Sequence, residues 1–135
     1  MSPAVTSAEL LARLDEAFAR TGELDWAIVS PDFEVYDHEL PDSAAHRGHE
    51  GWRRWVSDWR EAFEDYSLER LKVIEVDEAR ILRVHRLRAR GRTSGVELER
   101  TDAMLWTFSG ERLVRMDYYP NYRSSAMRFK APGAR

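Results

Sequence analysis

The residues of this 135-residue chain best placed to do chemistry are three aspartates, Asp37, Asp102 and Asp117. Asp102 falls within Gly95 to Tyr119, where two runs rich in β-branched, aromatic and apolar residues flank Ser109-Gly110-Glu111. That pattern predicts a long β-hairpin turning at the glycine. Alternate residues of a strand share a face, so Val96, Leu98, Arg100, Asp102, Met104, Trp106 and Phe108 stand together. Five of those seven are large and apolar, which marks the face as buried. A carboxylate left charged and alone on such a face costs several kcal/mol, so it must be paired, protonated or functional. The return strand carries Asp117 on the face of Leu113, Arg115 and Tyr119. Asp37 ends another apolar face, begun by Phe33 and Val35.

Acids directed into one apolar pocket can do acid–base work. Desolvation raises a carboxyl pKa and mutual repulsion separates neighbouring values, leaving one base and one acid near neutral pH. Proton abstraction beside a carbonyl would use Asp37 as base and Asp102 as donor to the enolate oxygen. Asp117 would be a third acid or a water-positioning group. Each aspartate also has a structural alternative. Arg100 neighbours Asp102 on its face and Arg115 neighbours Asp117, so both acids could be ion-paired. Asp37 could be a solvated strand end beside His38-Glu39. Arg100, Met104, Trp106, Tyr119, His85 and Val35 are the candidate ligand contacts, Tyr119 being preferred to Tyr118 because it shares the face of Asp117.

The histidines are less decisive. His85 shares a strand face with Ile81, Arg83, Leu87 and Ala89, so it either reaches a pocket or is a satisfied structural residue. His38 points away from the face of Asp37, and His46 and His49 frame a loop. His38, Asp42, His46 and His49 lack the rigid ligand spacing of a metal site, so neither metal nor cofactor is expected. The chain has no cysteine, no Gly-x-Ser-x-Gly elbow and no glycine-rich phosphate loop, so nothing supports nucleophilic or nucleotide chemistry.

These residues need elements to hold them. Thr6-Ser7-Ala8-Glu9 has the form of a capping box, and Leu10, Leu11, Leu14, Ala17 and Phe18 follow helical spacing up to Gly22. A short helix is expected over Leu24 to Val29, ended by Pro31, then a strand from Phe33 to His38 and a loop from Glu39 to His49. Trp52, Trp55, Val56, Trp59 and Phe63 form the aromatic stripe of a helix over Glu50 to Phe63, which either packs on a sheet or lines a ligand box. Strands follow at about Ser67 to Val76 and Arg80 to Arg90, joined at Asp77-Glu78, before Gly91 to Gly95 leads into the hairpin. The order implies an α+β fold, one domain over residues 1–135 with frayed ends at about 1–5 and 129–135. A net charge of −3 does not support nucleic-acid binding. The amino terminus lacks a signal-peptide core and no apolar run approaches membrane-spanning length, so a cytoplasmic location without membrane contact is expected.

Taken together, the chain resembles the NTF2-like superfamily and, within it, the SnoaL-like group. The resemblance rests on Gly22-Glu23-Leu24-Asp25, Pro31-Asp32-Phe33-Glu34-Val35-Tyr36-Asp37, Arg47-Gly48-His49-Glu50-Gly51, and Phe108 to Val114 leading to Asp117-Tyr118-Tyr119. It implies a cone, in which a curved, mostly antiparallel sheet and the N-terminal helices wrap an internal pocket. The outer sheet face of such proteins commonly forms a homodimer, for which the mixed face of Glu97, Glu99, Thr101, Ala103, Leu105 and Thr107 is suited. Ketosteroid isomerases are similar at Asp37, the base, and at Asp102, the oxyanion-hole acid. Their tyrosine falls at Leu14, so the match is incomplete, the oxyanion hole lacks one donor, and steroid isomerisation itself is not expected. Limonene epoxide hydrolases are similar at Met116-Asp117-Tyr118-Tyr119, but their Arg-x-Asp lies one strand earlier than Arg100-Thr101-Asp102. The resemblance and the paired acids imply a cofactor-independent isomerase, cyclase (as in polyketide cyclases) or dehydratase acting on a hydrophobic carbonyl- or hydroxyl-bearing molecule. The alternatives are a non-catalytic binding or dimerisation domain for a lipophilic ligand, and an accessory subunit docking a larger enzyme.

Overall fold

The computed structural model describes residues 5–39 and 45–122. Helix α1 (Ser7–Thr21) begins where the Thr6 hydroxyl accepts from the Glu9 amide at 3.1 Å. It ends at Gly22, whose φ of +76° lets its N–H reach the Phe18 carbonyl at 2.8 Å. Its stripe of Leu10, Leu11, Leu14 and Ala17 is buried. Only a 3-10 turn, Trp26–Ile28, forms where a second helix was expected, because strand β1 (Val29–Asp37) starts at once. Pro31 therefore lies inside β1, in the irregular stretch between Val29 and Glu34, where its missing N–H breaks no ladder bond. A short strand β2 (Ala45–Arg47) forms within the expected loop and leads into α2 (Gly48–Ala62). The long strands β3 (Phe63–Glu75), β4 (Arg80–Gly91), β5 (Glu97–Ser109) and β6 (Arg112–Tyr119) follow.

The six strands make one mixed sheet in the order β2-β1-β6-β5-β4-β3. Every neighbouring pair is antiparallel except β1 with β6. Ser109 pairs directly with Arg112, so the β5–β6 turn is Gly110-Glu111, both with positive φ (58° and 60°). This backbone matches the twist of the strands it joins. The helices cover one face of the sheet, where Phe33, Val35, Trp106, Phe108, Leu113 and Met116 form the main core. Leu82, Val84, Ala103, Leu105 and Tyr122 form a smaller cluster on the other face. The arrangement is the α+β cone with an open, curved sheet that the resemblance implied. Among the described residues no helix is long and apolar enough to cross a membrane.

Two strand-face expectations need correction. Val96 is 65% exposed, so the apolar face of β5 is covered only from its middle onward. On β6 the pairing jumps from Thr107–Arg115 to Phe108–Leu113, leaving Val114 as a bulge. One extra residue inverts the alternation. Leu113 therefore faces the main core, whereas Arg115, Asp117 and Tyr119 face the opposite side with Thr107, Leu105 and Ala103.

Candidate functional site

A cavity of about 460 Å³ lies between the helices and the covered face of the sheet. That volume is in the range of small-molecule sites. Helix α2 places Trp52, Trp55, Val56 and Trp59 along it, because i, i+3, i+4 and i+7 share one side of a helix. The tryptophan stripe thus both packs and lines. Leu11, Leu14, Asp15 and Phe18 of α1 form a second wall, and Tyr66, Leu68 and Arg70 of β3 a third. Arg83, His85, Met104, Trp106 and Tyr118 form the floor.

The floor carries unused hydrogen-bonding capacity. Arg83 and His85 are alternate residues of β4, and Trp106 lies across the ladder opposite Ile81. All three are nine-tenths buried, with exposures of 8%, 8% and 7%. Asp15 accepts from Arg83 Nη1 at 2.7 Å and Nη2 at 2.5 Å, and from Arg70 Nη2 at 3.4 Å. Among the described residues, Arg83 Nε, His85 Nδ1 and Trp106 Nε1 are left without a hydrogen-bond partner. A buried polar atom without a partner costs about 1–3 kcal/mol, so three at one wall call for an explanation. Burial, reinforced by the Arg83 guanidinium, pulls the His85 pKa down to about 4. His85 is therefore a neutral imidazole at neutral pH.

Asp102 also stands on this face, opposite His85 in the ladder, but in a closed network. It is fully buried and accepts from Arg100 Nε at 2.8 Å, from the Tyr118 hydroxyl and from the Asn121 amide at 3.4 Å. Arg100 further donates to Glu39 at 3.0 Å and to the Tyr118 oxygen at 2.8 Å. Burial pushes the Asp102 carboxyl above the ordinary carboxylate range, against the pull of Tyr118 and Arg100. Burial, with the Asp102 charge beside it, likewise raises the Tyr118 hydroxyl. Asp37 is 6% exposed, so it is not a solvated strand end. It accepts from Trp55 Nε1 at 2.8 Å and from the Glu39 amide at 2.9 Å. Neither Asp37 nor Asp102 lines the cavity; each bonds a residue that does, Trp55 and Tyr118 respectively.

Asp117 lies on the far side of the sheet. Arg115 grips it through Nε at 2.8 Å and Nη2 at 2.9 Å, and His38 Nε2 stands 2.8 Å away. Arg115 in turn sits 3.9 Å from the Tyr36 ring centroid, and His38 stacks on Tyr119 at 4.4 Å. Burial and the Asp117 charge push the Tyr119 hydroxyl up to about 12. The Val114 bulge makes Tyr118 the cavity tyrosine and puts Tyr119 on the opposite face, reversing the expected preference.

Of the sequence-derived candidates, His85, Met104 and Trp106 meet at the cavity, while Asp37, Asp102 and Arg100 flank it and Val35 lies in the core. The ion pairs Arg100–Asp102 and Arg115–Asp117 both form. Asp15 and Arg83 went unrecognised, and Tyr118 was ranked below Tyr119. The signal for Asp15 was its spacing, four residues after Leu11 and three before Phe18, which sets an acid on an apolar helix stripe. Arg83 could have been found as the residue sharing the face of His85. Among the described residues no group of three or more His, Asp or Glu is placed to hold a metal, and Asp42 lies outside them.

A SnoaL-like domain model matches residues 11–116. No curated protein matches the chain. Among solved structures, the chain is similar to a SnoaL-like polyketide cyclase homologue from Jannaschia sp. CCS1, at 16% identity and a TM-score of 0.71 over 90% of this chain and 91% of that one. It is also similar to TerC co-crystallised with polyporic acid (16% identity, TM-score 0.67, 87% and 92% covered). A ketosteroid isomerase-like protein from Catenulispora acidiphila, in complex with trimethylamine, matches at 16% identity with a TM-score of 0.64 and 95% of each chain covered. Identities this low speak for fold alone. With that family match spanning most of the chain, and with its sheet and helices forming the cone, this protein belongs to the SnoaL-like domain family of the NTF2-like fold.

Proposed function

We propose that the chain binds a hydrophobic carbonyl- or hydroxyl-bearing small molecule in the cavity and moves a proton on it without a cofactor, as an isomerase, cyclase or dehydratase does. The observation that carries this reading is His85, a neutral imidazole with an unpartnered Nδ1 on a wall that is otherwise largely aromatic. His85 accepts the proton, and Trp106 and Arg83 steady the oxygen on which charge develops. With a pKa of about 4 the imidazole is unprotonated at neutral pH but a weak base, so it needs the developing oxyanion to be stabilised beside it. Asp102 and Asp37 act as positioning residues, holding the Tyr118 hydroxyl and the Trp55 indole. Asp117 fixes His38 and Arg115 on the outer side, where a homodimer contact belongs to the same reading and sedimentation checks it. The small molecules bound to the TerC and Catenulispora structures support a ligand in a cone of this shape.

The test is α-proton exchange of 2-tetralone in D2O, followed by NMR. Exchange above buffer, rising through about pH 4 and level above it, is expected, with loss in His85→Gln. A second reading, a non-catalytic binding domain, draws on the fact that Asp37, Asp102 and Asp117 all bond internal donors. It predicts ligand binding with exchange at the buffer rate.

A further inference from the structure

We propose that the ligand is an organic monoanion, an aromatic or alicyclic carboxylate or enolate, whose oxygens dock on the Nε–H of Arg83 and the Nε1–H of Trp106. The proposal rests on the reading that the cavity takes a small molecule, and adds the chemical class of that molecule.

Chemistry decides the sign first. Guanidinium and indole nitrogens only donate, so the missing complement of Arg83 Nε and Trp106 Nε1 is an acceptor. His85 Nδ1 completes the group and suits either role, according to tautomer. Charge points the same way. The ionised residues lining the cavity are Arg60, Arg70 and Arg83 against Asp15 alone. Asp15 takes the two terminal nitrogens of Arg83 and one of Arg70, so among the described lining residues three cations meet one carboxylate and the wall keeps a positive excess. A hydrogen bond from a buried guanidinium to an anionic oxygen is about twice as strong as a neutral one. Stoichiometry selects the monoanion: two donor-only groups match the two oxygens of one carboxylate, whereas a neutral ketone leaves the charge excess unanswered. All three nitrogens are covered by neighbouring atoms, so docking requires side chains of the wall to move aside.

The experiment is calorimetric titration at pH 7 with 2-naphthoate and with 2-acetylnaphthalene, a neutral probe carrying the same rings. The proposal expects 2-naphthoate to bind at least about tenfold more tightly. Arg83→Gln should abolish that preference. Because Arg83 also pairs with Asp15, Trp106→Phe serves as the second variant, keeping a ring and removing only the indole N–H; it should reduce the preference several-fold. Equal or tighter binding of the neutral probe overturns the anion assignment and leaves the cavity reading standing. A preference for 2-naphthoate unchanged in both variants also overturns it, since the carboxylate would then be held elsewhere. Binding of neither probe contradicts the small-molecule reading itself, and the proposal with it.

Discussion

Arg100, Asp102 and Tyr118 stand on the same face of the same sheet as Arg83, His85 and Trp106, yet the two groups are opposite in kind. In the first, the Asp102 carboxylate, the Tyr118 hydroxyl and every Arg100 nitrogen are engaged. In the second, one nitrogen of each residue is left over. Folding alone explains the first group, because a buried charge must be matched. It does not explain the second, whose cost is borne at the wall of a cavity. Leftover hydrogen-bonding capacity, more than the presence of charged residues, marks where a ligand belongs.

The largest expected effect comes from breaking the closed group. Asp102→Ala leaves the Arg100 Nε and the Tyr118 hydroxyl without their buried acceptor and should cost about 3–5 kcal/mol in urea unfolding. Next comes acid. The folded protein keeps His85 neutral down to about pH 4, whereas the unfolded chain protonates it near 6.5, so the unfolded state binds the extra proton between those values. Stability should fall by about 3 kcal/mol as pH drops through that window, and His85→Gln should flatten this part of the profile.

A smaller effect isolates the comparison itself. Trp55→Phe and Trp106→Phe remove the same atoms, but the Trp55 indole serves Asp37 and the Trp106 indole serves no partner among the described residues. Trp55→Phe should therefore destabilise by about 1–2 kcal/mol more than Trp106→Phe in thermal or urea unfolding. Equal costs would erase the distinction between the two groups.

Most of the fold was legible because period and punctuation agreed. Thr6 and Gly22 bracket α1, the tryptophan spacing reveals α2, and Gly110 marks the hairpin. Hydrogen-bond partners far apart in sequence were not legible. Asp15 meets Arg83 across 68 positions and His38 meets Asp117 across 79, and no local pattern encodes either. The face of Asp117 was misjudged because strict alternation was carried through Val114, where a bulge shifts it by one residue. Asp102 was correctly placed on the inner face. Whether its bonding capacity was already spent depended on Tyr118, which the same bulge had moved to the unexpected side.

The most direct measurement follows the side-chain indole N–H signals of the tryptophans by ¹⁵N–¹H NMR during titration with 2-naphthoate. The account predicts that Trp106 moves furthest and downfield as its N–H gains a partner, while Trp55 stays bonded to Asp37 and Trp26, held by Glu23, does not respond. A stationary Trp106 signal while Trp55 shifts would mean that the closed network, not the unpaired wall, meets the ligand.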